Sequence, residues 1–151
     1  MHDRDTLCAL LPHAAEMCLI ESVTSYDNDR IICRTQTHLN PSNPLRYENR
    51  LNTICGVEYA AQAMALHSAL LSDERAKPRV GFLAGLREVT LHVPRLDVIA
   101  TTLHIKANKL IADSGRSIYE FLLSLDELPA LSGRAAVIIP NGGNILSQPN
   151  S

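Results

Sequence analysis

Glu58 and Gln62 sit one helical turn apart in the run ICGVEYAAQAMALHSALL, residues 54–71, where they are almost the only strongly polar groups. A carboxylate among apolar neighbours loses hydration and must be paired, neutralised or used, which makes Glu58 a candidate for moving protons. Proton chemistry needs a second group. The nearest upstream imidazole is His38, whose charge changes close to neutral pH. Asn43 is able to orient a substrate group or a water, and Gly56 lies in the first helical turn, where backbone N–H groups without helical partners can polarise a carbonyl oxygen. Each has a structural alternative. Glu58 can be a pin held by Gln62, by a loop N–H, or by Arg46 or Arg50; His38 can anchor the NPSNP turn; and asparagine before proline, as in Asn43-Pro44, is also a turn former.

Other chemistries have less support. The 4 cysteines, at positions 8, 18, 33 and 55, form no CxxC pair, which excludes a zinc knuckle or a redox motif of that kind and leaves free buried thiols as the expectation. The 6 histidines form neither HExxH nor HxH, and no metal is expected. His13 reads as a packing histidine, His67 lies about 13 Å further along the helix than Glu58, too far for a dyad within one chain, and His92 and His104 fall in strands. With 151 residues, 46% hydrophobic, 20% charged and a net charge of -2 without like-charge runs, the chain is a single domain with no signature for nucleic acid. Its apolar stretches stop short of the roughly 20 residues of a membrane span. The start MHDRDTLCALLPH lacks the features of a signal peptide, so a cytoplasmic protein is expected.

The candidates must be positioned by the elements around them. The apolar helix over 54–71 follows LNPSNPLRYENRLN, whose prolines and asparagines forbid a regular element, and Asn52 or Thr53 can cap it. Upstream, a short helix or turn ends near Pro12, a strand holds Met17, Leu19, Ile20 and Val23, and a turn over Tyr26–Asp29 leads to a second strand over 30–37. Downstream of the polar loop SDERAKPR come strand-like runs at 80–93, 97–110, 117–126 and 133–140, with ADSGR as a hairpin turn. The simplest architecture is α+β, one long helix wrapped by a mostly antiparallel sheet of about five to six strands. The domain is expected over 1–140, with 141–151 as a frayed tail.

Several motifs, in this order, resemble the beta-hydroxyacyl carrier-protein dehydratases, which have the hotdog fold. LLPHAAEMCLIESV resembles their start, GVEYAAQA their central helix with a catalytic carboxylate followed four residues later by glutamine, and VGFLAGLREVTLHVPRLD their next strand and turn. The combination of NPLR, EYAAQAMA and FLAGLR most resembles the divergent dehydratase-like proteins encoded with aryl polyene or xanthomonadin-type pigment pathways.

The resemblance implies loss of water from a 3-hydroxyacyl thioester, carried by acyl carrier protein or coenzyme A, to a trans-2-enoyl thioester, without metal or redox cofactor. In that family a histidine before the central helix is the base, and the helix carboxylate, supplied across a dimer interface, is its acid partner. Glu58 takes the second role. The family's histidine position counts back to Pro44, so His38 is the provisional base, with Asn43, Gly56 and Gln62 toward the substrate. Arg87 and Arg95 flank a strand where an anionic carrier could meet them, although isolated arginines are usually solvated. The resemblance also implies a homodimer or a heterodimer with another hotdog subunit. Two other readings keep the fold and change the role: a non-catalytic partner of a second dehydratase, or an acyl thioesterase.

Overall fold

The computed structural model describes residues 4–11, 17–72 and 82–138. Pro12 and His13, most of the SDERAKPR loop and the expected tail lie outside the described residues. The elements are α1 (Arg4–Ala9), β1 (Ser22–Tyr26), β2 (Arg30–Thr35), α2 (Gly56–Leu71), β3 (Phe82–Leu91), β4 (Leu103–Asp113), β5 (Arg116–Leu125) and β6 (Leu128–Ile138). All the strand pairings are antiparallel, in a 6-stranded sheet of order β1-β2-β4-β5-β6-β3. The sheet wraps α2, as the single apolar helix requires.

Alternation along β5 buries Ser117, Tyr119, Phe121, Leu123 and Leu125 toward α2, whose Tyr59, Ala60, Ala63, Met64 and Leu66 complete the core. At the start of α2 the approach is close. A Cβ on Gly56 would stand 2.8 Å from methyls of both Leu123 and Leu131, so glycine lets the helix sit directly on the sheet. On β3 the ladder to β6 shifts register between Leu83 and Gly85 and again between Arg87 and Thr90; Glu88, with φ 53, lies in the second bulge.

Several boundaries differ from the sequence expectation, each for a specific structural reason. Residues 17–21 are not a strand, although Cys18, Leu19 and Ile20 are buried. Side chains satisfy the Leu19 peptide groups instead: its N–H donates to Gln62 Oε1 at 2.8 Å, and its carbonyl accepts from the Thr35 and Thr37 hydroxyls at 2.7 Å each. Strand β4 begins at Leu103 rather than near Asp97, because Asp97 is held by Arg95 and Arg46. Strand β6 begins at Leu128, after a tight turn whose Asp126 has φ 54 and which carries no glycine to announce it. The ADSGR turn forms as expected, with Ser114 and Gly115 at φ 53 and 81. Neither candidate cap residue caps α2 through its side chain: a 3-10 turn over Thr53–Cys55 leads into the helix, and the Thr53 hydroxyl donates to Val93 O at 2.6 Å. The expectation of free thiols holds for Cys33 and Cys55 and fails for Cys8 and Cys18, which form a disulfide joining α1 to the chain before β1. Spacing alone did not show that the chain folds back within ten residues.

The far end of α2 is fixed by His67. Its Nε2–H donates to Asp27 O at 2.7 Å, which leaves Nδ1 to accept from the Tyr119 hydroxyl at 2.6 Å. Burial lowers the imidazole pKa from its ordinary 6.5 and pushes the Tyr119 hydroxyl up to about 12. In the unfolded chain His67 takes up a proton near its ordinary value, while in the folded chain it stays neutral to lower pH. Its contribution is therefore fully present above pH 6.5 and is lost as pH falls through the depressed folded value. His67→Asn is expected to unfold in less urea at neutral pH and to show a shallower loss of stability as pH falls below about 6.5, measured by urea melts at each pH.

Candidate functional site

The loop between β2 and α2 is organised by a buried chain of hydrogen bonds that starts on the helix. The Tyr59 hydroxyl lies 2.9 Å from Thr37 Oγ1 and accepts from Asn43 Nδ2 at 3.0 Å. Since the Thr37 hydroxyl donates to Leu19 O, Tyr59 donates to Thr37. Asn43 spends its second amide hydrogen on Thr37 O at 2.8 Å and accepts from Leu45 N–H at 2.9 Å through Oδ1. Every donor and acceptor of these side chains is matched, which is what a buried polar cluster requires to be stabilising. Burial pushes the Tyr59 hydroxyl up to about 12, so it stays a donor throughout the physiological range.

A second cluster ties the loop to the chain after β3. Arg46 donates to the carbonyls of Asn40, Asn49 and His38 and forms an ion pair with Asp97 at 3.3 Å. Arg95 adds two bonds to Asp97, at 2.9 and 2.8 Å, and holds its carboxyl down at about 2. The loop therefore has ordered anchors on both sides without being a strand or helix.

These clusters decide what each candidate residue can do. His38 is fully buried, and its Nε2–H donates to Thr101 O at 2.8 Å. That tautomer leaves Nδ1 as a lone pair, and Nδ1 has no hydrogen-bond partner among the described residues. Burial lowers the His38 pKa, so the imidazole is neutral at pH 7. Asn43 is spent within the loop cluster. The N–H of Gly56 points to the carbonyls of Thr53 and Ile54, closing the 3-10 turn. Gln62 is buried, with Oε1 on Leu19 N–H and Nε2 on Met17 O at 2.5 Å and on Glu58 Oε2 at 3.3 Å.

Glu58 itself is half-buried rather than enclosed, and it alone among the five candidates has a partly exposed side chain. Glu58 and Gln62 are thus together as the spacing predicted. His38 is anchored on another part of the chain, at Thr101. Tyr59, Thr37, Arg46 and Asp97 were not among the candidates. A tyrosine beside Glu58 on a buried helix was the available signal, since its hydroxyl must find a partner.

The family described as ApeP dehydratase, ApeP-like, matches residues 6–148. Among solved structures, the dehydratase heterocomplex ApeI:P from Xenorhabdus doucetiae is 26% identical, with a TM-score of 0.82 over 96% of this chain and 97% of that one. A mutant thioesterase from Pseudomonas aeruginosa is 15% identical, TM-score 0.64, covering 92% of this chain and 94% of that one. A thioesterase from Haemophilus influenzae is 13% identical, TM-score 0.66, covering 93% and 92%. At those lower identities the thioesterases share the hotdog fold alone. No curated protein matches.

Removing the Tyr59 hydroxyl leaves one of the two Asn43 Nδ2 hydrogens without its acceptor in the interior and takes from Thr37 Oγ1 the hydroxyl it accepts from. Tyr59→Phe is expected to cost about 1–3 kcal/mol in a denaturant melt, and Asn43→Ala a similar amount, with the double variant less destabilised than the sum of the two.

Proposed function

Because this chain belongs to the ApeP-like dehydratase family, we propose that it serves in the dehydration of 3-hydroxyacyl thioesters as one subunit of a two-subunit hotdog dehydratase. The observation that carries the reading is the setting of Glu58. It is the half-buried carboxylate in the first turn of α2, steadied by an amide whose other bonds are to the backbone at Met17 and Leu19. A steadied, partly desolvated carboxyl is suited to giving a proton to a leaving hydroxyl and to receiving one afterwards.

In this reading a base removes the proton α to the thioester carbonyl, the C3–OH bond breaks, and the Glu58 carboxyl supplies the proton that leaves with the hydroxyl as water. His38 is the base candidate within the chain: neutral, with Nδ1 carrying the lone pair and Nε2 steadied by a backbone carbonyl. Both steps are proton transfers and need no metal or redox cofactor. Asn43 and Gln62 act by holding the loop and the carboxylate, and the Gly56 N–H is engaged inside its own turn, so any further donors to the thioester oxygen come from outside that turn. The thioester is carried by acyl carrier protein in the cytoplasm, as part of fatty-acid or aryl-polyene-type synthesis. No helix among the described residues is long and apolar enough to cross a membrane.

A second reading is favoured by one observation: His38 is anchored on Thr101 while Glu58 is steadied at Gln62, and Pro44 stands where the family's histidine counts back. The chain then completes a partner subunit that supplies the base. That the relative from Xenorhabdus doucetiae is a heterocomplex supports it.

Glu58→Gln is expected to lower dehydration of a 3-hydroxyacyl carrier-protein substrate by about a hundredfold or more, followed by the mass loss of water. If His38 is the base, His38→Ala is expected to do the same. The acid limb of kcat/KM should then lie below 6.5, the side to which burial moves this imidazole. Activity unaffected by His38→Ala, and seen only with a partner present, selects the second reading; release of free acid in place of enoyl thioester overturns both.

A further inference from the structure

The Cys8–Cys18 disulfide lies apart from Glu58 and reaches it through one side chain. Cys18 is the middle residue of a tripeptide whose two outer members hold Gln62. The Met17 carbonyl accepts from Gln62 Nε2 at 2.5 Å, and the Leu19 N–H donates to Oε1 at 2.8 Å. The same Nε2 donates to Glu58 Oε2 at 3.3 Å. An amide keeps one orientation when a donor and an acceptor fix its two ends, and both are supplied here by the neighbours of Cys18. The cross-link is thus one residue from each contact that aims Gln62 at Glu58.

The tripeptide belongs to no strand, and its outer side is held by α1. Arg4 donates to Cys18 O at 2.8 Å, Cys8 supplies the disulfide, and Leu7 and Leu11 are buried in the core. With 6 residues, α1 is too short to persist as a helix without such anchors. Cutting the S–S bond leaves it one arginine contact and two leucines, so α1 and residues 17–19 open more often.

The bond can be cut from one side. Cys18 is buried and Cys8 is half-buried, so an incoming thiolate reaches Cys8 Sγ. The S–S bond breaks, its electron pair goes to Cys18 Sγ, which takes up a proton, and Cys8 is left in a mixed disulfide with the reductant. The second thiol of a dithiol reductant then displaces Cys8. One protein disulfide and one dithiol become two protein thiols and one oxidised dithiol. The Ile20 carbonyl, 4.0 Å from Cys18 Sγ, is an acceptor for the new thiol. In a cytoplasm kept reduced by such dithiols, a disulfide is more often a transient sensor than a permanent staple.

We propose that the Cys8–Cys18 disulfide is a redox-sensitive positioning device: closed, it holds Gln62 on Glu58; opened by a dithiol, it releases that hold and slows the reaction. Its effect on rate rests on the dehydratase reading above, whereas its effect on Gln62 does not.

The experiment compares the full chain, with its partner subunit where activity needs one, in three forms: oxidised, reduced with dithiothreitol and freed of it under nitrogen, and Cys8→Ser. Cys33 and Cys55 are free, so reduction changes this bond alone. Reduction and Cys8→Ser are each expected to speed hydrogen exchange at the Leu19 amide roughly tenfold or more, while β5 amides such as that of Phe121 keep their protection and show that the sheet is folded. In 15N spectra the Gln62 side-chain amide should move toward the position of solvent-exposed glutamines. For a 3-hydroxyacyl carrier-protein substrate, kcat should fall about threefold or more with KM unchanged, return on treatment with oxidised glutathione, and stay low in Cys8→Ser throughout. A bond that never forms in air or that dithiothreitol does not open, an unmoved Leu19 amide or Gln62 resonance, or an undiminished kcat once Gln62 has moved overturns the proposal. Dehydration by none of the forms, with Leu19 and Gln62 responding as expected, overturns the dehydratase reading and leaves the device supported.

Discussion

The peptide unit of Leu19 is the point through which the helix, the first hairpin and the loop are joined. Its N–H is taken by Gln62 from α2, and its carbonyl by the hydroxyls of Thr35, at the end of β2, and Thr37, just beyond it. A buried peptide group left without partners costs as much as a lost hydrogen bond or more, so this segment is stable only where those side chains stand. From Thr37 the constraint passes to Tyr59 and Asn43, and from Gln62 to Glu58. The carboxylate is therefore oriented by the same contacts that hold the fold shut, and site and scaffold cannot be separated by mutation at Gln62 or Thr37.

The polar groups fall into two kinds. Gln62, Asn43, His67 and Thr53 are enclosed and bonded to backbone, and each ties α2 or its approach loop to the surrounding chain. Glu58 is less enclosed than any of them. In the proposed dehydration this division matters, because a proton donor has to reach the substrate whereas a structural amide must not. His38 falls between the two kinds, enclosed and held at one nitrogen but with an unshared acceptor at the other.

Much of the architecture was legible in advance because it follows from patterning. The apolar run over 54–71 had to be a central helix, and the alternation in 117–126 had to be a strand with one face buried. Glu58 and Gln62 could be paired from spacing alone. What was not legible depends on contacts distant in sequence. Residues 17–21 have the composition of a strand, but their partners are side chains from positions 35, 37 and 62. The late start of β4 depends on Asp97 meeting Arg46, and the disulfide on α1 folding back over Cys18. The expected enclosure of Glu58 was read from its neighbours in the sequence, whereas its exposure is set by which side of α2 the sheet leaves open.

The two bulges in β3 also bear on how the chain can change in length. Ala84 is an extra residue between Leu83 and Gly85, and Glu88 and Val89 together occupy the space opposite Gly133. Loss of one residue at either bulge closes it into a regular ladder and leaves the flanking side chains on their present faces. Loss of a residue elsewhere in the strand turns the remainder over, sending Leu91 or Leu83 outward and an arginine inward. Within this strand, single-residue deletions therefore preserve the faces of the flanking side chains only at the bulges, which act as slack in an element that otherwise keeps its faces only when shortened two residues at a time.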